Sequence, residues 1–332
     1  MTRVAVLGSG AWGTVLGHHL AGLGNSVLLW ARDPELVRVV NEQHRNPAYL
    51  PGKPLHHSLT ATTEAIQAVQ GREVVVCAVP SQGVRGALEP IANAVEPHAV
   101  IVGASKGIEN DTLLRMSQVT AAALPGRSYV AFSGPSCAVE VLEQQPTAVV
   151  AASESRRAAE LIQGLFTAGP LRVYTSTDVT GTELAGAFKN VIAIAAGMCE
   201  GLGMGNNPRA ALITRGLAEV GRLGIALGAE PFTFSGLAGM GDLVLTCWGA
   251  QSRNRALGYA LGRGDTLQRY LEHHRGVVEG VPTARVALRL AQRAGVEMPI
   301  AAKVAECLFE GKSPRQAMTE LMERTPKPEQ WA

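Results

Sequence analysis

Residues 4–14 read VAVLGSGAWGT: a short apolar run passes into three glycines, Gly8, Gly10 and Gly13, in G-x-G-x-x-G spacing. The run has the length and composition of a buried strand, and the residues beyond Gly13 continue with helical periodicity. A glycine turn at such a junction lets the backbone approach a pyrophosphate, and the helix N-terminus then faces its negative charge. A purely structural turn can show the same spacing. What favours dinucleotide binding is the context, the first strand of a βαβ unit.

Working outward, the first half of the chain repeats this alternation. RVAVLG, SVLLWA, EVVVCAVP, AVIVGAS, SYVAFSGP, TAVVAAS and LRVYTS are short, apolar and rich in β-formers, with helical or polar segments between most of them. That pattern predicts a mostly parallel, doubly wound sheet of Rossmann-like type. Residues 44–63, HRNPAYLPGKPLHHSLTATT, break it with prolines and read as a long loop, a kind of segment that tends to be functional or mobile. From Thr180 onward strand signals vanish. NNPRAALITRGLAEVGRLGIALG has Asn207 as a candidate cap and Pro208 at a first helical position, and SRNRALGYALG, VPTARVALRLAQRAG and IAAKVAECLFEG continue in helical style. The expected fold is therefore an α/β N-terminal Rossmann-like sheet, residues 1–179, followed by an all-α C-terminal domain, residues 180–325, with 326–332 a frayed tail.

At 332 residues two domains are the expectation, and 46% hydrophobic with 17% charged residues is ordinary globular composition. A formal net charge of +2, without basic runs, argues against nucleic acid or a membrane surface as main partner. The N-terminus enters a strand directly, without the apolar stretch of a secretory signal. The five cysteines form no C-x-x-C pair, which implies reduced thiols and a cytoplasmic setting. The histidine pairs lack metal-ligand spacing with them, so no metal is expected.

Five further stretches carry candidate chemistry. Arg32, just beyond the second predicted strand, suits the 2′-phosphate of NADPH, while Asp33 beside it reads as a helix cap. Lys106 in SKGIE and Gly134 to Ser136 in FSGPSCAVEV follow the carboxyl ends of strands, where open α/β sheets bind ligands. In AGAFKNVIAIAAG, residues 185–197, Lys189 stands among small and aliphatic residues, on a helix predicted to start at a Thr180–Glu183 capping box. Leu184, Phe188, Val191, Ile192, Ala195 and Cys199 share one apolar face, and Lys189 points to another built from small residues. No carboxylate lies three or four positions from it, so a partner must come from elsewhere, with Asp242 in LAGMGDLVLTCWGAQSRNRALG the obvious candidate. Ser252, Arg253 and Asn254 open a helix, where a hydroxyl, a guanidinium and an amide at a helix N-terminus suit a phosphate. A solvated helix start reads equally well there.

These stretches, with YLPG, VVEG and GVEMPI, resemble the bacterial and plastid-type NAD(P)-dependent glycerol-3-phosphate dehydrogenases over nearly the whole chain, from Gly8 to about residue 323. The resemblance implies reversible hydride transfer between NADPH or NADP, with NADH or NAD tolerated, and dihydroxyacetone phosphate. It implies a soluble enzyme of phospholipid precursor synthesis, with a small phosphorylated molecule as its partner; the apolar helix faces of the second half point, separately, to a homodimer. It assigns Lys189 as proton donor and acceptor, with Lys106 and Asp242 beside it. It implies cofactor contacts at Gly8, Gly10, Trp12, Gly13, Arg32, Lys106, Ala138, Arg253, Val277 and Glu279. Substrate contacts would be Lys106, Gly134, Ser136, Lys189, Asp242, Ser252, Arg253 and Asn254. Cys137, His56 and Trp248 depart from the family pattern, where an aromatic, a proline and a small polar residue are usual.

Two rivals remain at this level: a ketopantoate or 6-phosphogluconate type dehydrogenase, and a non-catalytic NAD(P)H sensor. The complete set KNVIAIAAG with SRNR disfavours the first, and Lys106, Lys189, Asp242 and Arg253 are what a sensor would not need. A lysine desolvated among small residues has its pKa lowered toward working pH. On that reading, Lys189→Met leaves the fold at least as stable as the parent.

Overall fold

In the computed structural model, which describes every residue except 275, 327 and 330–332, eight strands form one sheet. They are β1 (Arg3–Leu7), β2 (Ser26–Trp30), β3 (Thr60–Thr62), β4 (Val74–Cys77), β5 (Val100–Gly103), β6 (Ser128–Ser133), β7 (Thr147–Ala152) and β8 (Leu171–Ser176). Their spatial order is β3-β2-β1-β4-β5-β6-β7-β8, parallel throughout except for the antiparallel β6–β7 pair. The central strands are buried on both faces, as VVVC in β4 and VIVG in β5 show, so both faces must be covered. Helices α1 (Ala11–Gly22), α2 (Pro34–Gln43), α3 (Ala65–Val69), α4 (Val84–Leu88), α5 (Met116–Ala123), α6 (Ala138–Leu142) and α7 (Arg156–Phe166) lie between the strands and supply that cover. Two apolar clusters result: Val4, Val6, Leu16, Leu20, Phe132 and Phe166 belong to one, Ala5, Leu7, Leu88, Ile101 and Leu124 to the other.

Beyond the sheet the described residues are helical: α8 (Val179–Gly201), α9 (Asn206–Ala226), α10 (Asp242–Trp248), α11 (Arg253–Gly262), α12 (Leu267–His273), α13 (Gly280–Ala294), α14 (Pro299–Phe309) and α15 (Pro314–Met322). The chain divides into two units, Met1–Glu109 with Leu114–Val179, and Asn110–Leu113 with Thr180–Ala332. The tail expected over 326–332 lies partly outside the described residues. Among the described residues no helix is long and apolar enough to cross a membrane.

The doubly wound sheet and the helical second half match the expectation from sequence, and local corrections follow from packing. The loop over 44–63 ends in a strand, β3, too short at three residues to show alternation. Helix α8 starts at Val179, so Asp178 and not Thr180 precedes its first residue. Helix α9 starts at Asn206 behind Gly205, which places Asn207 and Pro208 inside its first turn. The largest difference concerns α8 itself. Every residue from Gly181 to Cys199 is buried, so the helix has no polar face and Lys189 is enclosed like its neighbours.

A buried acid ties two helices of the second unit to each other. Helix α14 has no capping side chain of its own, and Glu219 of α9, only 2% exposed, accepts from Ile300 N–H at 2.8 Å and Ala301 N–H at 3.3 Å. Burial pushes the Glu219 carboxyl up to about 7, opposed by those two hydrogen bonds and by Arg222 and Arg324. The unfolded chain ionises such a group near its ordinary value, so its contribution to stability declines as pH rises from about 4.5 to about 7. Glu219→Gln keeps an oxygen acceptor but cannot ionise. The variant should gain in melting temperature relative to the parent as pH is raised from about 5 to 8. A difference independent of pH would contradict this.

Candidate active site

The site residues of the first unit gather at the carboxyl ends of the strands. The strand order reverses between β1 and β4, which marks the crevice where open α/β sheets bind ligands. The glycine turn lies there. Gly8 has φ +111°, and a Cβ on it would stand 2.8 Å from the Ala78 carbonyl oxygen, while one on Gly13 would stand 2.1 Å from that of Gly8. No other residue fits either position. Gly10 is the N-cap of α1 and brings no side chain to its first N–H groups. A Cβ on Gly10 would meet nothing within 4 Å. Backbone donors beside open space, at the end of a 12-residue helix, fit a pyrophosphate. Trp12 Nε1 is buried beside this turn with no hydrogen-bond partner among the described residues.

Arg32 is exposed just past β2, and Asp33 caps α2 by accepting from Glu35 N–H at 2.9 Å. Arg38, one turn on, is already held by Glu35 and Glu42, which leaves Arg32 the better placed guanidinium for a further phosphate. Past β5, Lys106 Nζ donates to the Gly134 carbonyl at 2.9 Å and to Ser136 Oγ at 3.2 Å, so three predicted residues form one cluster. Ala138 opens α6 immediately after it, with Cys137, which is not in a disulfide, at the N-cap. Burial raises that thiol, which keeps it protonated.

In the second unit the centre is a buried ion pair. Lys189 Nζ, on α8, lies 2.5 Å from Asp242 Oδ1 and donates to Thr246 Oγ1 at 2.7 Å. Lys189 is 7% exposed and Asp242 1%. Thr246 in turn donates to the Asp242 carbonyl at 2.6 Å, so its oxygen presents lone pairs to the ammonium. A π turn, Leu237–Gly241, precedes α10 and delivers Asp242 at its first position. Such turns are rare and recur at functional sites. The lysine side chain borders a small cavity that Ala185, Leu217, Val220, Gly239 and Leu243 also line. Nearby Cys247 is pushed up to about 12 by burial, against the opposing pull of Lys189, and is an inert thiol.

Next to this pair, three helices meet through one amide. Asn254 Nδ2 donates to Asn190 Oδ1 at 2.9 Å, and Gly280 N–H donates to Asn254 Oδ1 at 2.9 Å. Ser252 caps α11 by accepting from Arg255 N–H at 3.2 Å. Arg253 is exposed and runs against Gly276, where a Cβ would stand 3.1 Å from Nη1, beside the segment that carries Val277 and Glu279. Trp248 lies under the Arg209 guanidinium at 4.4 Å, while Arg209 and Arg255 both pair with Glu200. Reading the sequence missed Thr246 and Asn190. The first sits four residues after Asp242, on the same helix face, and that spacing was its available signal.

At the level of class, this is a nicotinamide-dependent oxidoreductase of sheet-plus-helix construction. The family model for the NAD-dependent glycerol-3-phosphate dehydrogenase N-terminus matches residues 3–159, and that for the C-terminus residues 178–319. The chain belongs to the NAD-dependent glycerol-3-phosphate dehydrogenase family. It is similar to the glycerol-3-phosphate dehydrogenase [NAD(P)+] of Geobacter sulfurreducens, 52% identical over 99% of both chains. Similarity at 48% identity extends to the enzyme of that name from Corynebacterium aurimucosum, over 99% of this chain and 100% of the other. Among solved structures, the glycerol-3-phosphate dehydrogenase of Coxiella burnetii superposes with a TM-score of 0.93 at 36% identity, covering 97% of this chain and 99% of the other. A ketopantoate reductase of Ralstonia eutropha, at 16% identity and a TM-score of 0.63, shares the fold alone.

Pairing changes what Lys189→Met should do. Removing the ammonium leaves the buried Asp242 carboxylate without the lysine that faces it, and breaking a buried ion pair in this way typically costs about 3–5 kcal/mol. The variant should therefore be less stable than the parent by roughly that amount, the reverse of the expectation from sequence. Adding Asp242→Asn should restore most of it. Urea unfolding of the three proteins decides, and a single variant as stable as the parent would show that the two charges are not coupled.

Proposed function

We propose that this chain reduces dihydroxyacetone phosphate to sn-glycerol 3-phosphate with NADPH, tolerating NADH, and so feeds glycerophospholipid synthesis. The observation that carries the reading is the buried Lys189–Asp242–Thr246 constellation in a chain of this family. A dinucleotide held at the glycine turn would supply the hydride for the ketone carbon. The chain's own residues deal with the charge that develops on the ketone oxygen. Lys189, as an ammonium, stabilises that alkoxide and delivers its proton, while Asp242 and Thr246 fix the direction of Nζ. In the reverse direction the amine takes the proton back. Arg253, with Ser252 and Asn254 at the start of α11, is the proposed phosphate clamp, and Lys106 with Gly134 and Ser136 a second contact to substrate. Gly8, Gly10, Trp12, Gly13, Arg32, Ala138, Val277 and Glu279 are the proposed cofactor contacts, with residues 1–179 as the dinucleotide-binding domain and 180–325 as the substrate domain.

A cytoplasmic setting and a homodimer belong to the same proposal. None of the five cysteines is in a disulfide, which suits a reducing compartment. Met240 in the π turn and Val244 and Trp248 on α10 are exposed apolar side chains at four-residue spacing, a stripe that suits association.

The test is oxidation of NADPH followed at 340 nm with dihydroxyacetone phosphate, where no turnover would remove the reading. Lys189→Arg refines it, because a guanidinium keeps the charge opposite Asp242 but does not give up a proton. Its kcat should fall by about 10²–10⁴ with NADPH affinity near that of the parent. Turnover within a few-fold of the parent would exclude proton delivery by this residue. Arg32→Ala should raise KM for NADPH far more than for NADH, since only NADPH carries the 2′-phosphate. An equal rise for both would remove Arg32 as the discriminating group.

A further inference from the structure

Asn46 lies in the proline-rich segment between α2 and β3, where polar side chains normally face water, yet it is 0% exposed. Its Nδ2 donates to the Ser9 carbonyl at 2.9 Å and to Thr14 Oγ1 at 2.8 Å, and its Oδ1 accepts from Tyr49 N–H at 3.2 Å. Thr14, equally buried, donates its hydroxyl to the same Ser9 carbonyl at 3.1 Å. The carbonyl in the middle of the glycine turn is thus gripped from two segments. The amide cannot be reversed, because Oδ1 would then face another carbonyl oxygen.

The segment that carries Asn46 is itself tied down. Leu55 N–H donates to the His44 carbonyl at 2.7 Å, His56 N–H donates to His18 Nδ1 at 2.9 Å, and Lys53 pairs with Glu143 at 2.5 Å. Leu50 and Leu59 are buried beneath it.

Every peptide bond here is trans, and in a planar trans peptide the C=O and N–H point in opposite directions. Holding the Ser9 carbonyl inward therefore turns the Gly10 N–H outward. That N–H, like those of Ala11, Trp12 and Gly13, has no hydrogen-bond partner among the described residues. We propose that Asn46 is a positioning residue for the dinucleotide. With Thr14 it locks the Ser9–Gly10 peptide so that its amide faces the pyrophosphate, a role that rests on NADPH occupying the glycine turn.

Asn46→Ala and Thr14→Val test this separately, the second keeping side-chain shape while removing the hydroxyl. In each, the dissociation constants of NADPH and of 2′-phospho-ADP-ribose should rise about tenfold, the size of one lost buried hydrogen bond. The inhibition constant of 2′-AMP, which has no pyrophosphate, should not change. KM for dihydroxyacetone phosphate should hold, and kcat at saturating NADPH should stay within about twofold of the parent. Unchanged NADPH affinity, or equal weakening of 2′-AMP, would overturn the proposal. So would loss of the fold in both variants, since a positioning contact is dispensable for folding. If the parent itself bound no dinucleotide, the functional reading would fall first, and the two failures are distinguishable.

Discussion

A charge inside a protein must be answered by another, and the helical unit is arranged around that requirement. Lys189 lies on a helix buried over its whole middle, where an isolated ammonium would cost many kcal/mol. Asp242 answers it at 2.5 Å, and Thr246 on the next turn of the same helix completes the contact. The π turn before α10 fits this demand, since it ends where the carboxylate begins. Small residues around Lys189, such as Ala185 and Gly239, are what leave a cavity beside the side chain. A buried ion pair is weak evidence for stability, because apolar packing would do as well. Its retention is better explained by chemistry, since an ammonium held in one direction is a poised proton donor.

The first unit meets the opposite need, which is to leave polar groups unanswered. The N–H groups of Gly10, Ala11, Trp12 and Gly13 are unpaired among the described residues, and the glycines of the turn have no space or no use for a side chain. Such donors stay aimed only if the peptides that carry them are held from behind. Thr14 does this from within α1, and Asn46 does it from a segment distant in sequence. The proline-rich stretch is therefore part of the architecture of the turn.

Strands were legible where short apolar or β-rich runs met turn signals, so β1, β2 and β4 to β8 all show in the sequence. β3 did not, because a three-residue edge strand owes its place to pairing with β2 and not to its own pattern. Lys189 was legible as a charge in apolar surroundings, and Asp242 as its candidate partner. What hid was the cooperation of neighbours. Thr246 looks like any threonine in an apolar helix until the fold sets it against Nζ. Asn190 reads as an isolated amide, and Asn254 as part of a helix start suited to phosphate, until α8, α11 and α13 converge on the pair. Asn46 reads as a loop residue, and only tertiary structure shows it buried. Helix ends shifted by a residue or so, because local caps compete with packing for the last turn.

The role of Lys189 at the reacting oxygen is the claim on which the rest turns. A crystal structure of the chain with NADP and sn-glycerol 3-phosphate bound tests it most directly. The predicted result is Nζ of Lys189 within ~3 Å of the C2 oxygen of the substrate, with Asp242 and Thr246 still in contact behind it. A C2 oxygen held by another group, with Nζ turned away to Asp242 alone, would contradict it.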